Sequence, residues 1–437
     1  MALLAEYDFN ENTGTTTADL TGNGYTLTTS GSGWVSGGYE SSYSGKADFS
    51  GVVGPNVLQQ SWTVMAWVRW NAMAVPYMAI LSNASSFYLE LWGDGSRVEC
   101  WSGVSGHPSS GLNVIPNGTW THVAATRQPD GTSIVFVNGE PIVTGKGNAA
   151  NFGAGIWYVG GANSPSYVLD GSVDALRIFD QVLSADDIRA WMHTPYGRKP
   201  PVLLAAYAFN ESNGATSIAD YSGNGVTATA NGASFTDGPL TGTRAVTFTG
   251  TGQSVQIPRA GTEPSATGVV AMCWAKGQVD MDYLVKPRAL GGSTRMGIGP
   301  SWRARWKDDL HYTDTKSGVD DSQWHHYCVI DTNDQWVVLI DGVFYDGGSR
   351  SFTDADPVIW EDFPWIIGYT GLNVNLGDSY SGQTVAEVRI FQGNMHTEPQ
   401  VQYYMNTPVS PQGRKFHLAG KTKSLKLGNS EKLFKSI

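Results

Sequence analysis

The sequence predicts an all-β protein made of two tandem antiparallel jelly-roll β-sandwiches, each closed by a short helix, with an extended C-terminal arm. Short aromatic and β-branched runs alternate with Asn-Gly, Asp-Gly and Gly-Gly pairs, which are typical of antiparallel strands joined by tight turns. Long helical periodicity is missing, which excludes an α-helical bundle. The third observation is an internal repeat with a period of about 200 residues.

The repeat is clearest at the first strand of each copy. Residues 3–24, LLAEYDFNENTGTTTADLTGNG, return as residues 203–225, LLAAYAFNESNGATSIADYSGNG, with 14 of 22 aligned positions identical. Identity of this density favours a duplicated domain over convergent composition. Later landmarks keep the same order in both copies: Trp67 and Trp274, Trp120 and Trp324, Asn138-Gly139 and Asp341-Gly342, and the strands ending in Arg177-Ile178-Phe179 and Arg389-Ile390-Phe391.

These landmarks set the domain organisation. We place one domain at residues 1–195, a linker at 196–202, a second domain at 203–408 and a basic arm at 409–437. Two antiparallel sheets packed face to face suit each domain, because the strands can then alternate core-facing and exposed residues. A propeller would show a repeat of about 40–50 residues, so the sandwich is favoured.

One short helix is predicted to close each copy. Ser184 with Asp187, and Thr397 with Gln400, have the spacing of a capping box. Apolar residues then follow at i, i+3 and i+4, and form a face that can pack on a sheet: Ile188, Trp191 and Met192 in the first copy, and Val401, Tyr404 and Met405 in the second.

The cysteines and the N-terminus bear on the cellular compartment. Cys100, Cys273 and Cys328 are sparse and odd in number, which favours unpaired core thiols, with a Cys273–Cys328 pair as the alternative. The chain has no basic n-region before Glu6 and no apolar run of membrane-spanning length. We expect a soluble product made in the cytoplasm without Sec export and without a membrane span.

The C-terminal arm differs in composition from the rest of the chain. Residues 412–437 contain seven basic residues and one acidic residue, whereas the whole chain has a net charge of −11. Leu425 and Leu433 are eight residues apart, as are Gly420 and Gly428, which indicates short strands that need a partner for stability. We expect the arm to dock on a neighbouring subunit through strand addition or charge complementarity, and its candidate assembly residues are Arg414, Lys415, Phe416, Leu425, Leu427, Leu433 and Phe434.

The alternatives for the arm are a solvated disordered tail or a nucleic-acid-binding segment. Its basic residues would suit a nucleic acid, but it has no recognised nucleic-acid motif and the domains beside it are acidic. Nucleic acid is therefore not the expected partner.

The two copies resemble the laminin G-like, or concanavalin A-like lectin, domain in its bacterial and phage form. The resemblance rests on Y-x-F-N-E with Gly14 and Gly214, on D-x-x-G-N-G at residues 19–24 and 220–225, and on W-x-H at Trp120 and Trp324, together with the two V-x-x-x-R-I-F strands. It implies a jelly-roll sandwich whose usual role is to bind glycans, proteins or cell surfaces rather than to catalyse a reaction.

Family members are generally secreted with a signal peptide, from which this sequence departs. A bacteriophage minor tail or virion surface protein would reconcile the two facts, because it is made in the host cytoplasm and released by lysis. The resemblance thus implies a non-enzymatic virion protein with host glycan or protein as its outward partner and other virion subunits as partners of the arm. The alternatives are a free-standing soluble lectin and, less favoured, a glycan-active enzyme.

Calcium is the candidate cofactor. Asp19 and Asn23, and Asp220 and Asn224, place a carboxylate and an amide oxygen on a Gly-rich turn, where backbone carbonyls could complete the shell of a hard cation. The alternative is an Asx-type turn that needs no metal.

Exposed tryptophans beside polar residues are candidates for glycan binding. The stretch from Trp302 to Asp309, with Trp302, Arg305 and Trp306, is the most suggestive, and the stretch from Trp92 to Trp101 is a second. A core or interface location is the alternative for each tryptophan. No nucleophile elbow, P-loop, HExxH motif, paired-cysteine zinc site or strand of alternating acids occurs, so no catalytic residue is proposed.

Overall fold

The computed structural model describes most of the chain, in segments separated by gaps. The described residues are 3–11, 13–30, 34–36, 41–43, 46–48, 61–72, 75–83, 87–92, 96–102, 106–147, 156–162, 167–194, 196–250, 252–258, 268–277, 284–287, 294–298, 322–331, 335–349, 365–368, 383–393, 395, 397–409, 424–427 and 430–433. The chain forms two compact units, whose main segments are Met1–Lys199 and Pro200–Phe416.

The first unit contains two antiparallel sheets. Its strands are β1 (Leu3–Tyr7), β2 (Thr16–Thr17), β3 (Leu27–Ser30), β4 (Trp34–Ser36), β5 (Ser41–Tyr43), β6 (Lys46–Asp48), β7 (Trp62–Trp70), β8 (Tyr77–Asn83), β9 (Phe87–Trp92), β10 (Arg97–Trp101), β11 (Thr121–Arg127), β12 (Thr132–Val137), β13 (Glu140–Lys146), β14 (Trp157–Val159) and β15 (Gly171–Phe179). One sheet has the order β13-β12-β11-β7-β15-β5-β4, with β1 also paired to β15. The other, which we call the outer sheet, has the order β10-β9-β8-β14-β6-β3-β2.

The core of the first unit lies between these two sheets. Val64 and Val68 of β7 enter it from one sheet, and Leu89 and Leu91 of β9 enter it from the outer sheet. Because successive side chains of a strand point to opposite faces, the residues between them on β9 project away from the core. The outer sheet therefore has a second face whose side chains do not contribute to the core between the sheets.

The second unit repeats this architecture. Its strands are β16 (Val202–Tyr207), β17 (Ser217–Ile218), β18 (Ala228–Asn231), β19 (Ser234–Asp237), β20 (Arg244–Phe248), β21 (Ser254–Ile257), β22 (Val269–Lys276), β23 (Leu284–Pro287), β24 (Thr294–Ile298), β25 (His325–Asp331), β26 (Gln335–Ile340), β27 (Val343–Ser349), β28 (Trp365–Gly368) and β29 (Gln383–Gln392). The sheet orders are β19-β20-β29-β22-β25-β26-β27, with β16 also paired to β29, and β17-β18-β21-β28-β23-β24. Both sheets contribute to one core cluster, so each unit is a β-sandwich, as predicted.

The predicted closing helices are confirmed. Helix α1 (Ala185–Met192) begins after Ser184 and helix α2 (Glu398–Asn406) begins after Thr397, and each helix has a complete capping box. The predicted apolar face of α1 is buried against β7 and β15 side chains, and Val401 of α2 is buried in the matching position. Among the described residues, neither helix has the length and hydropathy needed to cross a membrane.

The three cysteines are free and buried, as predicted. Cys273 of β22 faces the core between the sheets, whereas Cys328 of β25 lies in the cluster beneath α2, on the opposite face of the same sheet. Side chains on opposite faces of a sheet cannot approach within disulfide distance, which excludes the alternative Cys273–Cys328 bond. Burial raises the pKa of both thiols, so they stay protonated.

A buried arginine ties the last strand of each unit to the segment that follows the helix. In the first unit, Arg177 donates to the carbonyl oxygens of Trp191 at 2.7 Å and of Thr194 at 2.6 Å. In the second unit, Arg389 donates to the equivalent carbonyl oxygens of Tyr404 and Thr407. The arginine thus holds the end of the helix and the segment that follows it against the last strand.

The carboxylate beside this arginine comes from a different strand in each unit. Glu6 of β1 contacts Arg177 at 2.7 Å, whereas the residue equivalent to Glu6 in the second unit is Ala206. In the second unit the carboxylate belongs to Glu387 of β29, 3.8 Å from the guanidinium of Arg389. Each unit therefore keeps one buried carboxylate near its arginine.

The position of Glu387 has an unusual backbone that both units share. Glu387 has a φ of 52°, and the equivalent residue of the first unit, Ala175, also has a φ of 52°. The last strand has a register irregularity at this point in both units. The two units therefore place this carboxylate on different strands, β1 in the first and β29 in the second, although the backbone at Ala175 and Glu387 has the same φ.

The described part of the arm forms a two-stranded antiparallel hairpin, β30 (Ser424–Leu427) and β31 (Ser430–Leu433). Leu425 and Leu433, which are eight residues apart, thus lie on two paired strands. Leu425, Leu427 and Leu433 lie on this hairpin. The other predicted arm residues, Arg414, Lys415, Phe416 and Phe434, lie outside the described residues.

Candidate functional site

Five aromatic side chains form a continuous row on the outer sheet of the first unit. We call this row, Tyr77, Tyr88, Trp92, Trp101 and Tyr167, the aromatic ladder. Ring centroids are 6.4 Å apart from Trp92 to Tyr77, 5.8 Å from Tyr77 to Tyr167, 5.0 Å from Tyr167 to Tyr88 and 5.5 Å from Tyr88 to Trp101. Tyr88 is buried and the other four are partly exposed, so the ladder presents aromatic surface to solvent.

Strand register places these rings together. Tyr77 of β8 lies opposite Trp92 of β9, and Tyr88 of β9 lies opposite Trp101 of β10. All four project from the face that points away from the core, because their strand neighbours fill the core cluster. Tyr167 joins them from the segment before β15.

A pair of carboxyl groups lies within the ladder. Glu90 of β9 and Glu99 of β10 are directly opposite each other, and are 3% and 6% exposed. Burial, together with the neighbouring Glu99 carboxylate to which it hydrogen bonds, raises the pKa of Glu90 to about 9. Glu90 therefore keeps its proton at neutral pH. The Oε2 atom of Glu90 is buried and has no hydrogen-bond partner among the described side chains and backbone groups.

An imidazole extends this pair across a third segment. Residues 106–110 run beside β10, where the Cys100 N–H donates to the Pro108 carbonyl oxygen at 3.0 Å. The Nε2 atom of His107 lies 3.5 Å from Glu99 Oε2. We call Glu90, Glu99 and His107 the carboxyl row. At the end of the ladder, the Arg97 guanidinium lies 4.7 Å from the centre of the Trp92 ring.

This arrangement combines two kinds of group that suit a polyhydroxylated ligand. Aromatic rings provide flat apolar surface against which the C–H face of a sugar can pack, and carboxyl oxygens accept hydrogen bonds from hydroxyl groups. A mostly apolar surface with a few convergent polar groups is typical of small-molecule sites. The face is therefore the best candidate binding site within the described part of the chain.

The sequence identified part of this face. The stretch from Trp92 to Trp101, which was the second candidate for glycan binding, contributes both tryptophans, Arg97 and Glu99. The first candidate stretch, with Trp302, Arg305 and Trp306, lies outside the described residues. Sequence reasoning missed Tyr77, Tyr88, Glu90, His107 and Tyr167. The alternation in Phe87–Trp92 was a usable signal for Tyr88 and Glu90.

The first predicted calcium turn is held by hydrogen bonds. The Asp19 carboxylate accepts from the Thr21 hydroxyl at 2.8 and 2.9 Å, from the Thr21 N–H at 3.1 Å and from the Tyr25 N–H at 3.3 Å. The Asn23 amide donates to the Leu4 carbonyl oxygen at 3.0 Å. These donors point protons at the oxygens that a cation would need.

The second turn repeats this pattern. Asp220 accepts from the Ser222 N–H at 2.8 Å and hydroxyl at 2.7 Å and from the Val226 N–H at 2.9 Å, and Asn224 donates to the Leu204 carbonyl oxygen at 2.9 Å. Both turns thus have the geometry of the metal-free alternative. Within the described segments, no cluster of three or more His, Cys, Asp or Glu is arranged to hold a metal ion. Calcium at these turns stays a prediction, which a calcium titration followed by thermal unfolding would test.

Two histidines occupy equivalent buried positions. His122 packs edge-on against Trp67 at 5.4 Å, and His326 packs against Trp274 at 5.5 Å. Burial lowers the pKa of both to about 3, so both imidazoles are neutral at physiological pH. This packing agrees with their interpretation as structural residues rather than bases.

Comparison with known proteins gives one family match. Residues 41–189 match the model of the concanavalin A-like lectin/glucanases superfamily, and this range contains the aromatic ladder and the carboxyl row. A search of curated proteins finds no match.

Among solved structures, the chain is similar to domain 4 of AbnA, a GH43 extracellular arabinanase from Geobacillus stearothermophilus, in complex with arabinotriose, with 20% identity, a TM-score of 0.35 and coverage of 43% of this chain and 97% of that chain. It is also similar to Trypanosoma rangeli sialidase in complex with sialic acid, with 11% identity and a TM-score of 0.36. The match covers 74% of this chain and 61% of that chain. A third similar structure is the binding domain of Botulinum neurotoxin DC in complex with rat synaptotagmin II, with 11% identity and a TM-score of 0.33. The match covers 88% of this chain and 98% of that chain. The family match thus relates residues 41–189 to the concanavalin A-like lectin/glucanases superfamily.

Proposed function

We propose that this chain is a non-enzymatic carbohydrate-binding protein and that glycans bind to the aromatic ladder of its first sandwich. The observation that carries the proposal is the juxtaposition of five aromatic rings with the buried Glu90–Glu99 pair on one face. The match of residues 41–189 to a lectin-type family supports the same function.

The geometry of the carboxyl pair favours binding over hydrolysis. Glycoside hydrolases separate their two carboxyl groups by about 5–5.5 Å when they retain configuration and by about 6.5–9.5 Å when they invert it. Glu90 and Glu99 instead face each other directly across neighbouring strands and are both almost fully buried, so a glycosidic bond has no access to the space between them. The alternative of a glycan-active enzyme predicts turnover of a polysaccharide that is lost when a single acid is replaced.

Removing the end rings of the ladder is expected to abolish most of the glycan affinity. Trp92→Ala and Trp101→Ala should each weaken binding by about tenfold to a hundredfold, because truncating tryptophan side chains is among the costliest changes at binding interfaces. The measurement is a glycan array screen followed by calorimetric titration of the best ligand against each variant.

The matched control is Phe344→Ala, which removes an aromatic ring of the second sandwich that is 56% exposed. This variant should bind as the unmodified protein does. Wild-type affinity in both tryptophan variants, with unchanged thermal unfolding, would contradict a binding role for the ladder.

We further propose that the protein is part of a bacteriophage virion, as a minor tail or surface protein made in the host cytoplasm. The basic arm would dock on other virion subunits, and the lectin-type domains would face host glycans or proteins. Two features support this proposal: the excess of seven basic residues over one acidic residue in residues 412–437, and the β30–β31 hairpin. A two-stranded hairpin is marginally stable alone, so a partner that extends it would stabilise it.

Deleting residues 412–437 tests this assignment. The truncated protein should keep both folded sandwiches and its glycan affinity, and should fail to join particles assembled in infected cells. Particle incorporation without the arm would contradict its assembly role. A free-standing lectin, the alternative, would show glycan binding but no association with particles in either form.

A further inference from the structure

The two carboxyl groups of the aromatic ladder face lie against each other and beside an imidazole. The Glu99 carboxylate faces the His107 imidazole at 3.5 Å and hydrogen bonds to Glu90. Burial and the adjacent Glu99 keep Glu90 protonated at neutral pH. The Arg97 guanidinium lies over the Trp92 ring, where it makes a cation–π contact. The carboxyl row therefore presents two carboxyl groups and an imidazole to a ligand, whereas the Arg97 guanidinium, whose Nε atom has no hydrogen-bond partner among the described residues, lies at the end of the ladder beside Trp92.

What the carboxyl row does offer is hydrogen-bond acceptors. A protonated Glu90 donates its proton to Glu99, and its Oε2 atom then remains a buried oxygen with no donor among the described residues. A buried acceptor without a donor is unfavourable, and a ligand that supplies an O–H group would remove this cost. Oxygen atoms of Glu99 can accept in the same way.

The small exposure of these two side chains limits what can reach them. Glu90 is 3% exposed and Glu99 is 6% exposed, while four rings of the ladder are partly exposed around them. A sugar ring can pack on the aromatic surface, and a group of hydroxyl size can point from it toward the carboxyl pair. A carboxylate or sulfate placed there would meet the Glu99 carboxylate at close range in a poorly solvated site, where like charges repel strongly.

Resting on the proposed glycan-binding function, we infer that this face selects uncharged sugars, whose hydroxyl groups hydrogen bond to the Glu90–Glu99 pair, and excludes sugars that carry a carboxylate or sulfate group. Glu99 is the specificity-determining residue, because its charge repels the acidic ligands. Glu90 supplies the oxygen atom that accepts a hydrogen bond from the sugar hydroxyl group.

The experiment compares sugars that differ only in this charge. Oligomers of galactose and of galacturonic acid, and of glucose and of glucuronic acid, have matched ring size and differ at carbon 6. Sialylated and non-sialylated forms of one trisaccharide, and a sulfated disaccharide with its unsulfated parent, complete the set. The full-length protein should bind the neutral member of at least one pair and bind its acidic partner at least about tenfold more weakly.

The variant that separates this inference from a general role of the face is Glu99→Gln. Glutamine keeps an oxygen acceptor and removes the charge, so the ratio of neutral to acidic affinity should fall to about threefold or less. Glu90→Gln keeps the Glu99 charge and should preserve the discrimination. Thermal unfolding of both variants verifies that the sandwich remains folded.

Three outcomes are distinguishable. An acidic sugar that binds as tightly as its neutral partner overturns the inference and leaves the glycan-binding function intact. Discrimination that survives in folded Glu99→Gln also overturns it, because another group would then exclude the acids. The absence of binding to every sugar, neutral or acidic, overturns the proposed function itself.

Discussion

Replacing Glu6 with alanine is expected to lower the stability of the first sandwich by about 3–5 kcal/mol, because it leaves the Arg177 charge buried without its carboxylate. Arg177 is 1% exposed and Glu6 is 2% exposed, so water cannot replace the lost partner. Glu6 also accepts a hydrogen bond from the Gly197 N–H at 3.1 Å, which the substitution removes. Calorimetric unfolding of the full-length protein measures the effect on the first transition.

The second sandwich suggests how this loss can be reversed. Glu387 supplies its carboxylate from a position whose counterpart in the first sandwich is Ala175, and both residues have a φ of 52°. The double variant Glu6→Ala/Ala175→Glu should therefore recover at least half of the stability that Glu6→Ala loses. Ala175→Glu alone should destabilise, since it buries a second carboxylate beside one arginine.

The reciprocal pair provides the control. Glu387→Ala should destabilise the second sandwich, and Ala206→Glu should restore it in the same protein. A double variant no more stable than its destabilised parent, in both units, would show that the two carboxylate positions are not equivalent.

Acid is expected to destabilise both sandwiches through His122 and His326. Burial, reinforced by Arg177 and His193 for His122 and by Arg389 for His326, lowers the pKa of each from about 6.5 to about 3. The unfolded chain therefore takes up a proton at a higher pH than the folded chain. Stability from these residues is complete above about pH 6.5 and is lost as the pH falls toward 3, by about 2 kcal/mol per histidine at pH 5 and about 3 kcal/mol at pH 4.

His326→Phe is the variant that tests this expectation. Phenylalanine keeps an aromatic ring against Trp274 and removes the titrating group, and neither ring nitrogen of His326 has a hydrogen-bond partner among the described residues. The melting temperature of the second sandwich falls between pH 7.5 and pH 5, and this decrease should be about 4–8 °C smaller in His326→Phe than in the unmodified protein.

His122→Phe is the matched control, because the buried His122 imidazole occupies the equivalent position against Trp67 in the first sandwich. Unfolding of the second sandwich in this variant should keep the pH dependence of the unmodified protein. If His326→Phe also keeps that dependence, the acid sensitivity originates in other groups, and the neutral buried imidazole is not its source.

Local patterns in the sequence were sufficient to predict the fold and its closing helices. The capping boxes at Ser184 and Thr397 depend only on residues three positions apart, so a single window contains all the relevant information. The internal repeat added a second instance of each landmark, which made the β-sandwich assignment consistent along the chain. The burial of Cys273 and Cys328 likewise followed from their apolar strands.

The candidate site could be predicted only where its residues are close in sequence. Trp92 and Trp101 lie on two strands of one hairpin, and the sequence pointed to that stretch. Tyr167 and His107 come from segments whose position beside the hairpin depends on how the outer sheet is assembled. No local pattern in either segment indicates this contact.

The amino-acid sequence alone determined the two repeated sandwiches, because strand alternation, turn residues and helix caps act over a few neighbouring residues. Tertiary structure alone decided which rings meet in the ladder, that Glu90 is buried against Glu99, and which strand supplies the carboxylate for Arg177 and for Arg389. Those properties depend on burial and on the register between strands, and both arise only when distant segments pack together.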